Sequence, residues 1–290
     1  MAPEPEEPRT SASADSEHDV PHRYQATVSA RGVRKAAAGA YAATSAVGQF
    51  YLLGLDTGRA LVRRRFPWSE FLEQCWFLAR VALVPTVLMS LPFTVLVVFT
   101  LNSLLGEIGA SDLAGAGAGL GAITQIGPLV TVLVVAGAGA TAMASDLGAR
   151  VIREEIDAIE VLGIDPVHRL VLPRVLASTV VALLLNGAVC AIGVVGGFFF
   201  SVYLQDVSPG AYASSVTLLV GLPEVVLSEV KAAVSGAIAG MIACHRGLSV
   251  RGGPKSVGSA VNETVVFAAV ALFVANTVLT SVGLAVSGPS

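Results

Sequence analysis

Residues 81–106 read VALVPTVLMSLPFTVLVVFTLNSLLG, with no Asp, Glu, Lys or Arg between Arg80 and Glu107. About 20 consecutive apolar residues suffice for a helix to cross the hydrocarbon core of a bilayer, so this run is a complete span, at about 81–105. Working outward, Leu113 to Ser145 is also uncharged but too long for one straight crossing. Gly127-Pro128 is expected to divide it into a Gly-rich entry segment at 115–126 and a second span at 128–145. Further spans are expected at about 175–205, 225–244 and 264–286, the fourth carrying Glu229 and Lys231.

Composition agrees: 54% of the residues are hydrophobic, 13% are charged, and the mean hydropathy is +0.73. Soluble domains carry charge on about a quarter of their positions, so lipid must be the solvent for most of this chain. The thirty glycines have no collagen period and suit membrane helices, where small residues let backbones approach closely. The expected class is an all-α integral membrane protein: an N-terminal interfacial helix, about five transmembrane helices, and a further helix outside the membrane.

Before the first span, residues 1–28 are rich in Pro, Ser, Glu and Asp and lack an apolar core, which reads as a disordered cytoplasmic tail rather than a signal peptide. Residues 29–66 read as an amphipathic interfacial helix. There Val47, Phe50, Tyr51, Leu55 and Leu61 lie near one face and Arg59 and Arg63 on another, and Arg63-Arg64-Arg65-Phe66-Pro67-Trp68 sets cations beside aromatics. Ser69 is placed to cap the next helix, with Glu70 in its first turn. Residues 67–290 then form the membrane domain.

Cys75, Cys190 and Cys244 form no Cys-x-x-Cys pair, and His18, His22, His168 and His245 show no ligand spacing, so neither a disulfide framework nor a metal site is expected. No Ser/His/Asp, Cys/His or paired-carboxylate arrangement supports a catalytic site, and no basic footprint for nucleic acid stands out. The loop from Gly247 to Ser256 resembles a phosphate-binding loop only superficially: Pro254 separates Gly253 from Lys255, and membrane spans flank it where a strand and a helix are required. Any ATP must be hydrolysed by another chain.

Orientation follows from the eighteen Lys and Arg residues. Ten precede the first span, four (Arg150, Arg153, Arg169, Arg174) join the second to the third, and three (Arg246, Arg251, Lys255) join the fourth to the fifth; Lys231 is alone on the other side, with Glu107, Asp112, Asp206 and Glu224. Basic residues near span ends stay inside. The N-terminus is therefore expected in the cytoplasm and the C-terminus outside.

The segment SDLGARVIREEIDAIEVLGIDPVHRLVLPRVLA, residues 145–177, is a charged hairpin where a short polar turn would suffice. Ile152, Ile156 and Ile159 are spaced as one apolar stripe, with Arg153, Glu154, Asp157 and Glu160 on other faces. Gly163 suits a helix stop and Asp165-Pro166 the start of the next helix. A helix over about 147–162 is expected across the cytoplasmic mouth, either as a solvated connector or as a docking helix for a soluble partner.

Several runs resemble the MlaE/YrbE permease family, of the type found in Mce lipid-import systems: Gln125-Ile126-Gly127-Pro128-Leu129-Val130-Thr131, Val135-Ala136-Gly137, Glu154 through Pro166, Pro173-Arg174-Val175-Leu176-Ala177, Cys244-His245-Arg246-Gly247-Leu248, Gly252-Gly253-Pro254-Lys255 and Val261-Asn262-Glu263-Thr264-Val265-Val266. Ile159 departs from the commoner Leu or Met. The resemblance implies an ABC-transporter permease of the plasma (inner) membrane whose Glu154, Glu155, Ile156, Asp157, Ala158, Ile159 and Glu160 form the coupling helix for a cytoplasmic ATPase dimer, which binds ATP and Mg. It also implies a second permease subunit, either a paralogue or a second copy, an external MCE-protein assembly, and a lipid-like substrate (fatty acid, sterol or phospholipid) moved by import.

Ionisable residues at membrane depth are functional candidates by default, which singles out Lys231 and Glu263, and the polar Asn186 and Asn276 lie deeper still. Against this, Glu263 reads as a residue near a helix N-terminus, Lys231 as one able to snorkel outward, and the asparagines as bridges between helices. The rival function is a secondary transporter with a Lys231/Glu263 ion relay. Cysteine-accessibility labelling in a background without native cysteines checks the topology. Position 290 should label only from outside, and labelling only from the cytoplasm would overturn the assignment.

Overall fold

The computed structural model describes residues 48, 53–59 and 66–286. The expected tail at 1–28 and most of the expected interfacial helix at 29–66 lie outside the described residues; of the latter, 53–59 are helical. Met1–Tyr51 is a unit by itself, and the membrane helices belong to the second unit, Leu52–Ser290. Among the described residues there are helices and connecting turns but no strand.

Helix α1 spans Trp68–Glu107. Its cap position is Pro67, with no side-chain cap, so Ser69 lies within the helix rather than capping it. Proline ahead of the first turn needs no N–H there, which removes the demand for a hydroxyl. The buried residues of α1 are Gln74, Leu78, Ala82, Thr86, Ser90, Thr94, Val98 and Asn102, a seam of mostly small and polar side chains at every fourth position. Leu83, Leu88, Leu91, Leu96 and Phe99 point outward. Apolar outside and small or polar inside is how a helix sits in lipid, where packing rather than water exclusion draws helices together.

Helix α2 runs from Ser111 to Ile152 without a break, which corrects the expected division at Gly127-Pro128. Proline within a helix lacks an N–H and collides with the carbonyl four residues earlier. Here the turn Gly121–Ile126, just before it, is widened to π geometry, so Pro128 falls in the first turn of the following α segment. A second π turn, Val135–Gly139, comes next. Helix α3 is short, Glu155–Val161. Helix α4, Val167–Leu204, also opens with a π turn, Val167–Val171, just before Pro173. The small helix α5 (Pro209–Ser215) leads to α6 (Leu222–Leu248) and α7 (Pro254–Val286). Five of these helices, α1, α2, α4, α6 and α7, are long and apolar enough to cross a membrane. The last two begin earlier than the apolar runs alone suggested.

Helix α4 packs against both α1 and α6, and α6 in turn against α2 and α7. The α4–α6 contact is close because Gly236 presents no side chain. The Ser178 hydroxyl donates to the Gly236 carbonyl at 2.8 Å, and a Cβ on Gly236 would sit 2.6 Å from the Ser178 carbonyl oxygen and 2.8 Å from Ala182 Cβ. At the end of the bundle remote from α3, Asn102 Nδ2 on α1 donates to Ser201 Oγ on α4 at 2.8 Å and to Oε1 of Gln205, just past the end of α4, at 2.6 Å. Overpacking a filled contact costs about 1–3 kcal/mol, so Gly236→Leu should lower thermal stability in detergent while an exposed change such as Val270→Leu leaves it unchanged. Static light scattering on heating reads both.

Candidate functional site

Helix α3 hangs from one end of the bundle between α2 and α4. Where a helix over 147–162 was expected, α2 continues to Ile152, the chain turns at Arg153 and Glu154, and α3 starts at Glu155. Glu154 has φ +58°, in the left-handed region that non-glycine residues seldom adopt. One such residue reorients the axis while leaving the apolar spacing intact, so periodicity could not reveal it. At its far end α3 stops at Gly163, φ +73°, and Asp165 Oδ1 accepts from the Val167 N–H at 3.0 Å to start α4, both as the sequence suggested.

The two faces of α3 do different things. Ile156 is buried in a cluster with Leu147, Leu170, Val171, Val175 and Cys244, and Ile159 packs against its edge. Ile156 and Ile159, which the resemblance places in the coupling helix, are thus turned away from any soluble partner: they fasten α3 to its own bundle. Glu154, Asp157, Ala158 and Glu160 are exposed, and so are Val161 and Leu162, at 87% and 75%. Val161 and Leu162 went unnoticed in the sequence because they fall off the isoleucine stripe; two consecutive apolar residues just before a helix-ending glycine were the available signal.

Half-buried Glu155 is held by ions. Arg153 Nε lies 2.8 Å from its Oε1, and Arg150 on α2 lies 4.0 Å from its Oε2. Arg150 also reaches Asp146 at 3.3 Å. Asp146 in turn sits 2.6 Å from the guanidinium of Arg174, which is fully buried and also donates to the Leu170 carbonyl at 3.0 Å. The sequence marked Arg174 as a positive charge near a span end and as part of a family-like run, but not as a partner of Asp146, twenty-eight residues away.

Of the candidates within the spans, Asn186 bridges helices, its Nδ2 donating to Ser228 Oγ at 3.0 Å and to Glu229 Oε1 at 3.1 Å on α6. Asn276 leaves its Oδ1 buried without a hydrogen bond. Lys231 is 4% exposed, rather than snorkelling outward, and makes no hydrogen bond or ion pair among the described residues. Glu263 lies well inside α7, not at its start, and pairs with Arg246 of α6 at 2.9 Å, while that guanidinium also lies 4.2 Å over the Phe267 ring. Lys231 and Arg246 are fifteen positions apart on α6, about 22 Å at 1.5 Å per residue. The structure therefore does not bring Lys231 and Glu263 together, and the relay they were to form has no geometry. Between α1 and α2 there is also a crevice of about 380 Å³, walled by Leu96, Leu101 and Leu120 and carrying Thr100, Thr124 and Gln125. Both threonine hydroxyls are spent on carbonyls of their own helices, so the wall is effectively apolar. No group of His, Cys, Asp and Glu able to hold a metal occurs among the described residues.

Five helices long and apolar enough to cross a membrane, with a charged, structured hairpin at one end, make this a polytopic membrane protein. The profile of the family Permease MlaE matches residues 71–282, and the chain belongs to that family of ABC transporter permeases. It is 32% identical over 168 residues to a protein of Synechocystis named "Probable ABC transporter permease protein", covering 58% of this chain and 64% of that one. A protein of Rickettsia conorii with the same name is 30% identical over 238 residues, covering 81% and 90%. The intermembrane phospholipid transport system permease protein MlaE of Haemophilus influenzae is 26% identical over 243 residues, covering 80% and 89%. The match to the Synechocystis protein spans less than two thirds of its length.

Truncating a buried isoleucine costs about 2–5 kcal/mol. Ile156→Ala should therefore speed hydrogen exchange of the amides of 155–161, whereas Asp157→Ala, on the exposed face, should shift local stability by no more than about 0.5 kcal/mol. Peptide-resolved exchange mass spectrometry separates the two.

Proposed function

We propose that α3 is the coupling helix of this permease: it lies on the cytoplasmic side and docks a separate ATPase dimer, which binds ATP and Mg. The observation that carries the reading is the division of α3 into a fastened face, Ile156, Ile159 and Glu155, and a free face on which Glu154, Asp157 and Glu160 surround Ala158, Val161 and Leu162. An apolar centre with a charged rim is the usual anatomy of a protein interface, and a connector with no partner would have no reason to expose Val161 and Leu162. The N-terminus is then cytoplasmic and the C-terminus external, in line with the basic residues, in the inner membrane.

The cargo of this proposal is lipid-like. The apolar crevice between α1 and α2 supports it, as does the phospholipid transport named for the Haemophilus relative. Lys231, 4% exposed and unpaired among the described residues, is placed in this reading to meet an acidic headgroup, either a carboxylate or a phosphate. Five spans are few to enclose a pathway, so a second permease subunit completes it, and the resemblance to Mce-type permeases supports import from an external MCE-protein assembly.

Reversing Glu154 and Asp157 to Lys should weaken capture of the ATPase from detergent extracts and abolish lipid uptake, since truncated interfacial charge pairs commonly cost about 2–5 kcal/mol when buried. Ala158→Trp should do the same by steric conflict. Neither change touches a span, so expression and monodispersity should be unaffected. A doubly reversed protein that holds its ATPase and transports at the unmodified rate would return α3 to the status of a solvated connector.

A further inference from the structure

Resting on the coupling reading of α3, we propose that Asp146 and Arg174 are its positioning pair: the contact through which displacement of α3 moves α2 and α4 together. The chain of ions is continuous across three helices, from Arg153 and Glu155 at α3, through Arg150 and Asp146 on α2, to Arg174 on α4. Its two ends differ in kind. Arg153 and Glu155 are 61% and 40% exposed, so water can replace either partner there, whereas Arg174 is 0% exposed.

That asymmetry gives the chain a direction. A surface pair yields under load because solvent screens it. A buried guanidinium that loses its carboxylate is left as an uncompensated charge, so Arg174 must follow Asp146 wherever it goes. The apolar cluster around Ile156 holds α3 against the bundle but is non-directional and tolerates sliding. The hydrogen-bonded pair fixes register, since the second guanidinium nitrogen is committed to the Leu170 carbonyl in the opening turn of α4. Asp146 carries two arginines at once and is therefore the junction: Arg150 brings the position of Glu155 to it, and Arg174 takes that position into the membrane.

The native complex, captured through a tag on this chain and placed in phosphatidylethanolamine/phosphatidylglycerol vesicles, supplies the test. The quantity read is lipid moved per ATP hydrolysed, using a fluorescent phosphatidylethanolamine and a fluorescent long-chain fatty acid as probes. Asp146→Asn should leave ATPase capture and basal hydrolysis intact and lower that ratio by about tenfold, a usual size for coupling between sites. Asp146→Glu, which keeps the charge, should restore most of it. Arg150→Gln cuts the chain at a partly exposed link and should lower the ratio too, and the double variant with Asp146→Asn should be no worse than Asp146→Asn alone, because changes along one pathway are not additive. Because Asp146 and Arg150 touch directly, this non-additivity reads their pairing, and rescue by Asp146→Glu is what separates coupling from general loosening. An unchanged ratio in assembled Asp146→Asn overturns the proposal, as does additivity in the double variant; if Asp146→Asn fails to assemble, an unchanged ratio in Arg150→Gln overturns it. Should the unmodified complex move neither probe with ATP, it is the transport reading that fails, independently of this pair.

Discussion

Inside a bilayer no water is present to bond a stray N–H or C=O, so the backbone must satisfy itself. The rest of this structure depends on that constraint. It restricts the spans to helices and also governs their side chains. The hydroxyls of Thr86, Thr264 and Thr280 each donate to the carbonyl four residues earlier, at 2.7 Å, and so become nearly apolar at their tips. In the seam of α1 this quiets Thr86, and Ser90 donates likewise to the Val87 carbonyl at 3.0 Å, whereas Thr94 Oγ1 is buried without a hydrogen bond. The constraint also shapes the prolines. Pro128 and Pro173 each come after a π turn, where the wider ring relieves the clash that would otherwise open the ladder to lipid.

Four of the spans were legible in the sequence because absence of charge over a long run is a collective signal that no single position can spoil, while the fourth, with Glu229 and Lys231 inside it, rested on its remaining apolar residues. The course of α2 was not. A proline in the sequence does not by itself end a helix: Pro85 and Pro92 lie inside α1, and Pro128 follows the π turn Gly121–Ile126, where a Cβ on Gly121 would sit 2.9 Å from Val97. The same limit applies at α3. Spacing showed that Ile156 and Ile159 share a face, but a stripe says only that a face is apolar and not which body it meets. Asp146 and Arg174 were illegible for a different reason, since their contact joins two helices and neither residue stands in a local pattern.

The polar groups in the membrane divide by whether they are satisfied. Asn186 donates through Nδ2 to Glu229 across α4 and α6, although its Oδ1 stays buried without a hydrogen bond, and Glu263 pairs with Arg246 across α7 and α6, with Phe267 covering the cation. These contacts hold helices together. Lys231 is different: it lies 4% exposed without a counter-ion among the described residues, and it is the residue on which the proposed contact with cargo rests.

Helix α3 has seven residues, far below the length at which an isolated helix holds in water. It exists because the bundle gives Ile156 a place to go and Glu155 cations to meet. Its shape is therefore a readout of the bundle's state, since any rearrangement of α2 against α4 changes the site on which α3 rests. The converse holds by reciprocity: whatever binds the free face of α3 and prefers one arrangement must bias α2 and α4 by the same free energy. A longer, self-sufficient helix could dock a partner equally well and transmit nothing. On the coupling reading proposed for α3, its shortness, together with the left-handed turn at Glu154 that separates its axis from that of α2, is what suits it to carry force in either direction.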